Sequence, residues 1–328
     1  MRFRARYRQF EGSFRSEREA AAKRGDRRDS GSGVGGATLV LMLAGYSLAR
    51  FQRTNLFQGK LAQVAWTTLP GVILAYYAVV VPYAIVKGPI DPLWLLFLGN
   101  FLPHTQNLIE PLWFIPAYVQ IVLMFLALFA VPQVRAFLAT DPWRGGLLML
   151  GAASATFIAC DLVIDQGILL FRLPLSLFHL FALGWCIRHA DTQTPKVVVS
   201  LLAMAIVGGF WAGSVPPAAL ISAGCLALIW IDEVRLPRRV AHAGMAMGAA
   251  SFYIYVMHVL PAYALAYAFH LDRVITTIPA YLVIAGIAAA LGVATYLAVN
   301  RGSALVVTAA GRLTRRKYTA PTPHQAAM

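Results

Sequence analysis

The chain has 328 residues, of which 59% are hydrophobic and only 13% charged, with a formal net charge of +14. That balance excludes an ordinary soluble domain, and in an apolar chain the position of basic residues carries more information than their sum. The charge therefore gives no reason to expect a nucleic-acid partner. Cys160, Cys186 and Cys225 lie scattered in apolar runs without paired spacing, which supports neither a disulfide framework nor a metal site.

Residues 1–33 form a basic hydrophilic tail, taken as disordered or foreign to the fold. A membrane span needs about 20 mostly apolar residues. Such runs recur at 34–50, 64–86, 110–131, 145–163, 174–188, 196–211, 214–231, 247–269 and 275–299. None alternates like a barrel strand, and an open sheet cannot satisfy its backbone in lipid. The expectation is an all-α, polytopic transmembrane bundle of about nine spans over 34–300, with a basic tail at 301–328. Residues 93–102 are too short to cross and read as one re-entrant or interfacial helix.

Basic residues alternate by loop. Fifteen Lys and Arg lie in 50–63, 132–144, 188–196, 232–243 and the tail after 300, against Lys87, Arg172 and Arg273 in the intervening loops. The positive-inside rule places the richer set, and the C-terminus, in the cytoplasm. Nine spans then put the ten basic residues of 1–33 outside, against the rule. One further span ahead of residue 34 would remove the conflict.

Polar groups inside spans are the functional candidates. In "SFYIYVMHVLP", Ser251, Tyr255 and His258 share one helical face, polar enough to line a cavity; ordinary interhelical bonding is the alternative. His104 lies in "NFLPHTQNLIEPLWF" with Asn100, Gln106, Asn107 and Glu110, where it reads equally as an acceptor contact or as solvated loop. Trp113 reads as an interfacial anchor or a substrate contact. Gln120, one to two turns deeper, needs a partner in the low-dielectric interior. His179 has no polar companions on its helix. Asp161 and Asp165 read best as helix-end solvation.

Three segments, in order, resemble the acyltransferase 3 family of integral membrane O-acyltransferases. "GVGGATLVLMLAGYSLARF" is similar to the span that usually ends in Ser-Gly-Phe or Ser-Gly-Tyr before basic residues, with Ala44 in the serine's place. "LWFIPAYVQIVLMFLALFAVP" resembles the Leu-Trp-Phe-Leu stretch, with Tyr118 where many members carry an acid. "LPRRVAHAGMAMGAASFYIYVMHVLP" resembles the late signature ending in Ile-Tyr-x-x-His, and "FHLFALGWCIRHAD" is a weaker match.

The resemblance implies transfer of an acyl group, acetyl or another short chain, from acyl-CoA to a hydroxyl of an envelope carbohydrate or similar acceptor. It implies no bound cofactor, a lipid environment and a bacterial plasma (inner) membrane. His258 would be the catalytic candidate, with Tyr255, Ser251, Trp113, Gln120 and His104 contacting substrate. The family's Arg and catalytic His belong to its first span, where this chain has only residues 1–33. Charge and resemblance thus point together to a truncated or misassigned start, or to a degenerate member. A transporter or flippase of an envelope precursor and a non-catalytic homologue stay open, although no internal repeat of the transporter kind is found.

Overall fold

The structure, a computed structural model, describes residues 34–87, 90–102, 110–163, 172–210, 215–257 and 283–299. Helix is the sole regular secondary structure among them, as the closed hydrogen-bonding requirement of a lipid-embedded backbone demands. The helices are α1 (Val34–Phe51), α2 (Arg53–Phe57), α3 (Leu61–Thr68), α4 (Pro70–Lys87), α5 (Pro92–Leu95), α6 (Phe114–Ala130) and α7 (Pro132–Thr140). They continue as α8 (Pro142–Val163), α9 (Pro174–Arg188), α10 (Gln193–Phe210), α11 (Val215–Trp230), α12 (Arg238–Met257) and α13 (Val283–Val299). The chain divides into two compact units, Met1–Arg235 and Leu236–Met328.

Each of the nine apolar runs overlaps a helix, but fewer of them meet the length of a span. Among the described residues, Leu61–Ile85 (25 residues), Pro142–Val163 (22) and Arg238–Met257 (20) are long and apolar enough to cross a membrane. A fourth is added if α6 and α7, bent by 90° at their junction, count together. The reason is geometric: at about 1.5 Å per residue, the 15-residue α9 reaches roughly 22 Å, short of a core about 30 Å thick. The expected short piece at 93–102 is a single helical turn, α5, followed by a 3-10 turn over Gly99–Phe101.

In the first unit, α9 is the hub. It packs most extensively on α1 and α8, and also touches α6, α10 and α11. Two glycines permit the α1 crossing: a Cβ on Gly184 would overlap the Met42 carbonyl oxygen, and one on Gly45 would overlap that of Phe181. Close approach of small residues is what holds helices together where lipid removes the hydrophobic driving force. Below the crossing, Phe125 and Phe129 of α6 meet Phe181 and Trp185 of α9, with ring centroids 5.0 Å apart for Phe125–Phe181 and 5.5 Å for Phe129–Trp185. Such tilted aromatic pairs each add about 0.5–1.5 kcal/mol beyond area burial.

Helix junctions follow local chemistry. Gly59, at φ +72°, turns α2 into α3 in the left-handed region that favours glycine. Pro132 opens α7 after the extended Val131, and its missing N–H costs nothing at a first helical turn.

In the second unit, α12 buries Ala250, Tyr253 and Val256. Tyr253 packs on Tyr296 of α13 at 5.8 Å.

Candidate functional site

The short segment between α4 and α6 is held by side chains from three directions. Asp91 caps α5 by accepting from the Leu93 N–H at 2.9 Å. Tyr76 and Tyr77 of α4 donate to the carbonyls of Trp94 and Leu95 at 2.7 and 2.6 Å. Phe97 stands at φ 57°, a conformation that costs a non-glycine residue about 1–3 kcal/mol. Its ring sits between Tyr76 and Tyr77, with centroids 4.7 and 5.4 Å away.

Gln120 closes this arrangement from α6. Its amide donates to the Phe97 carbonyl and to Asn100 Oδ1 (3.0 Å). Asn100, fully buried, donates in return to Gln120 Oε1 and to the Arg172 carbonyl, both at 3.1 Å. Both amide groups therefore spend their two donor positions on the scaffold. At about 1 kcal/mol net per bond, these contacts offset the strain at Phe97.

Arg172 lies just ahead of α9 and is 6% exposed, with its guanidinium carbon 5.8 Å from the centroid of the Trp113 ring. A planar, permanently charged donor fork on an aromatic face is suited to oxygen-rich or anionic ligands. On α5, the Trp94 indole N–H is buried without a hydrogen-bond partner.

Of the expected site residues, Trp113 and Gln120 are thus brought to one place, joined by Asn100 and Arg172. His258 and His104 lie outside the described residues. Ser251 and Tyr255 belong to the second unit, where Ser251 is exposed and Tyr255 half-buried. At 100° per residue they project from α12 opposite the Ala250–Tyr253–Val256 stripe. Arg172 was not among the expected site residues. Its signal was its position: it is one of only three basic residues in the loops that the charge count leaves sparse.

The other end of α9 carries a second polar group. His189 Nδ1 bonds the Trp185 carbonyl at 3.0 Å, and its ring lies 4.6 Å from that of Trp185. Nε2 is buried with no hydrogen-bond partner. Burial lowers the His189 pKa below the ordinary imidazole value; Arg53 and Arg188 add to this, while the Trp185 carbonyl and Asp191 oppose it. Beside it, a half-open cleft of about 120 Å³ is lined by Tyr46, Arg188, Asp191, Lys196 and Asp232 among others. Its charges pair internally, Lys196 with Asp232 at 3.3 Å and Arg188 with Asp191 at 3.4 Å. Among the described residues no group of three or more His, Cys, Asp or Glu is placed to hold a metal ion.

A family model described as an acyltransferase domain, Acyl_transf_3, matches residues 27–299. Searches of curated proteins and of solved structures found no match. The matched segment takes in every helix from α1 to α13, including the spans and the Trp113–Gln120–Arg172 network. The chain belongs to the acyltransferase 3 family and is an acyltransferase-like integral membrane protein.

Proposed function

We propose that the chain transfers a short acyl group from acyl-CoA to a hydroxyl of an envelope carbohydrate or similar acceptor in a bacterial inner membrane, with its C-terminus cytoplasmic. The observation that carries this reading is the family match across both units. In the proposed reaction the acceptor oxygen attacks the thioester carbonyl, the new C–O bond forms and the C–S bond breaks. The hydroxyl proton passes through a base to the departing thiolate, so the products are an ester and free CoA.

The base has to be poised near neutrality, which favours histidine, and His258 is the residue proposed for that role, at helical spacing from Ser251 and Tyr255 in the sequence. Within the first unit, the Arg172–Trp113 pair holds an oxygen-rich group of a substrate. Gln120 serves by holding the Phe97–Asn100 segment beneath them, since its donors are already engaged.

The test uses the purified full chain in proteoliposomes with radiolabelled acetyl-CoA and a crude envelope glycan fraction. Ester-linked label on the glycan is expected, lowered by at least about 100-fold in His258→Ala, the scale of a lost general base, and lowered through weaker substrate binding in Arg172→Met. Wild-type transfer by His258→Ala would remove that residue from the site. Glycan flux without acyl-CoA would assign a transporter instead, and acyl-CoA binding without turnover would assign a non-catalytic homologue.

A further inference from the structure

A second surface is built where α2 and α7 underlie the first unit. The α6–α7 junction turns by 90°, so if α6 runs across the membrane, α7 lies along its surface. The α2 helix packs against α3, α6 and α7. Arg135 ties the layer together: it donates to the Phe129 carbonyl at the end of α6, and its guanidinium lies against Gly59 in the α2–α3 turn. The layer is a shelf in which α7 stands at right angles to α6.

Its composition is one-sided. Residues 50–60 and 131–144 contain Arg50, Arg53, Lys60, Arg135 and Arg144 against one carboxylate, Asp141, which is five positive charges and one negative, net +4. Arg50, Arg53, Lys60 and Arg144 are exposed. Large apolar side chains are exposed among them: Phe51 is 70% exposed, Phe137 46%, and Trp66, on α3 beyond Lys60, 79%. The Asp141–Arg144 pair, 3.4 Å apart with Arg144 80% exposed, contributes little that would neutralise the shelf.

From this we infer that the shelf is a docking surface for anionic phospholipid, with the arginines and Lys60 on the headgroups and Phe51, Phe137 and Trp66 in the adjoining acyl boundary. Charge complementarity selects the occupant. A zwitterionic headgroup offers a net +4 surface no net field, whereas each cation near an anionic leaflet gains appreciably and within a Debye length. Aromatic rings beside cations match the interfacial level of a bilayer. The inference rests on the membrane placement of the helices and is independent of the acyl-transfer reading.

The experiment titrates the purified full chain in a neutral detergent with phosphatidylglycerol or phosphatidylcholine and counts bound lipid by native mass spectrometry. Wild type is expected to prefer phosphatidylglycerol, and less so at high ionic strength. Neutralising Lys60→Gln together with Arg144→Gln should weaken that preference by about fivefold per side chain, roughly 25-fold for the pair. The charge-conserving pair Lys60→Arg, Arg144→Lys should keep it, which separates loss of charge from misfolding. Equal binding of the two lipids by wild type would overturn the inference, as would full retention of the preference by the neutralised pair. Displacement of the lipid by micromolar adenosine 3′,5′-diphosphate would also overturn it, by assigning the shelf to a soluble phosphate ligand.

Discussion

Two regions of the first unit are held together by opposite means. At the α1–α9 crossing, backbone meets backbone through Gly45 and Gly184, and α9 buries 13 of its 15 residues. At the segment before α6, which carries the strained Phe97, hydrogen bonds do the holding: Tyr76 and Tyr77 donate to the Trp94 and Leu95 carbonyls, Gln120 to that of Phe97, and Asn100 to that of Arg172. The crossing is intolerant of volume, because no side chain stands between the helices to yield. The segment is intolerant of a lost donor or acceptor, because a buried unpaired amide is costly in a low-dielectric interior.

The largest effect should come from volume at the crossing. Gly184→Ala puts a methyl group into the Met42 carbonyl, with the Tyr46 amide nitrogen 2.9 Å away, all of it backbone. We expect a loss of about 3 kcal/mol or more, seen as a sharply lower melting temperature and yield in detergent. Gly151→Ala on α8, where nothing lies within 4 Å, should melt with wild type or slightly above it. Equal melting of the two variants would dissolve the contrast.

Next in size is Gln120→Leu, which takes the Gln120 amide away from the Phe97 carbonyl and leaves Asn100 with only its bond to the Arg172 carbonyl among those described. The expected cost is about 2–3 kcal/mol, with faster proteolysis near residue 97. Because Asn100→Leu breaks the same network, the double variant should lose little more than either single one. Additive losses would mean that the two amides act separately.

The smallest effect concerns His189, and it depends on pH. Its native pKa lies below the unfolded value of about 6.5, so the unfolded chain binds the proton more readily. The stability this group supplies is complete above that range, declines as pH falls through it, and levels off below the lowered native value. His189→Phe removes the titration and the unpaired Nε2, so it should melt close to wild type at pH 8 and above it near pH 5. An unchanged pH slope in the variant would assign the acid sensitivity to other groups.

Much of this arrangement is legible in the residues. Apolar runs at 145–163 and 64–86 carry enough length to announce spans, because leaving water requires only composition. The Trp-Phe opening of α6 and the family likeness around Gly45 could likewise be recognised from order alone. Gln120 was identifiable as a group needing a partner, since no amide is left unpaired in such an interior without cost. Its partners were not identifiable: Asn100 lies 20 residues away, and Asn100 reaches a further 72 residues to the Arg172 carbonyl. Periodicity says which face of a helix a residue occupies but not which loop comes to meet it.

What the amino-acid sequence determined by itself is therefore membership: helices, a membrane, an acyltransferase family, and a strong asymmetry of charge between alternate loops. Those properties sum over many residues, and each residue contributes whatever its neighbours do. Tertiary structure alone decided that α9 is the hub, that Arg172 stands over Trp113, and that α7 turns at right angles to α6. Such outcomes depend on a few contacts between residues far apart in the chain, where one glycine admits a neighbouring backbone and one amide holds a strained turn.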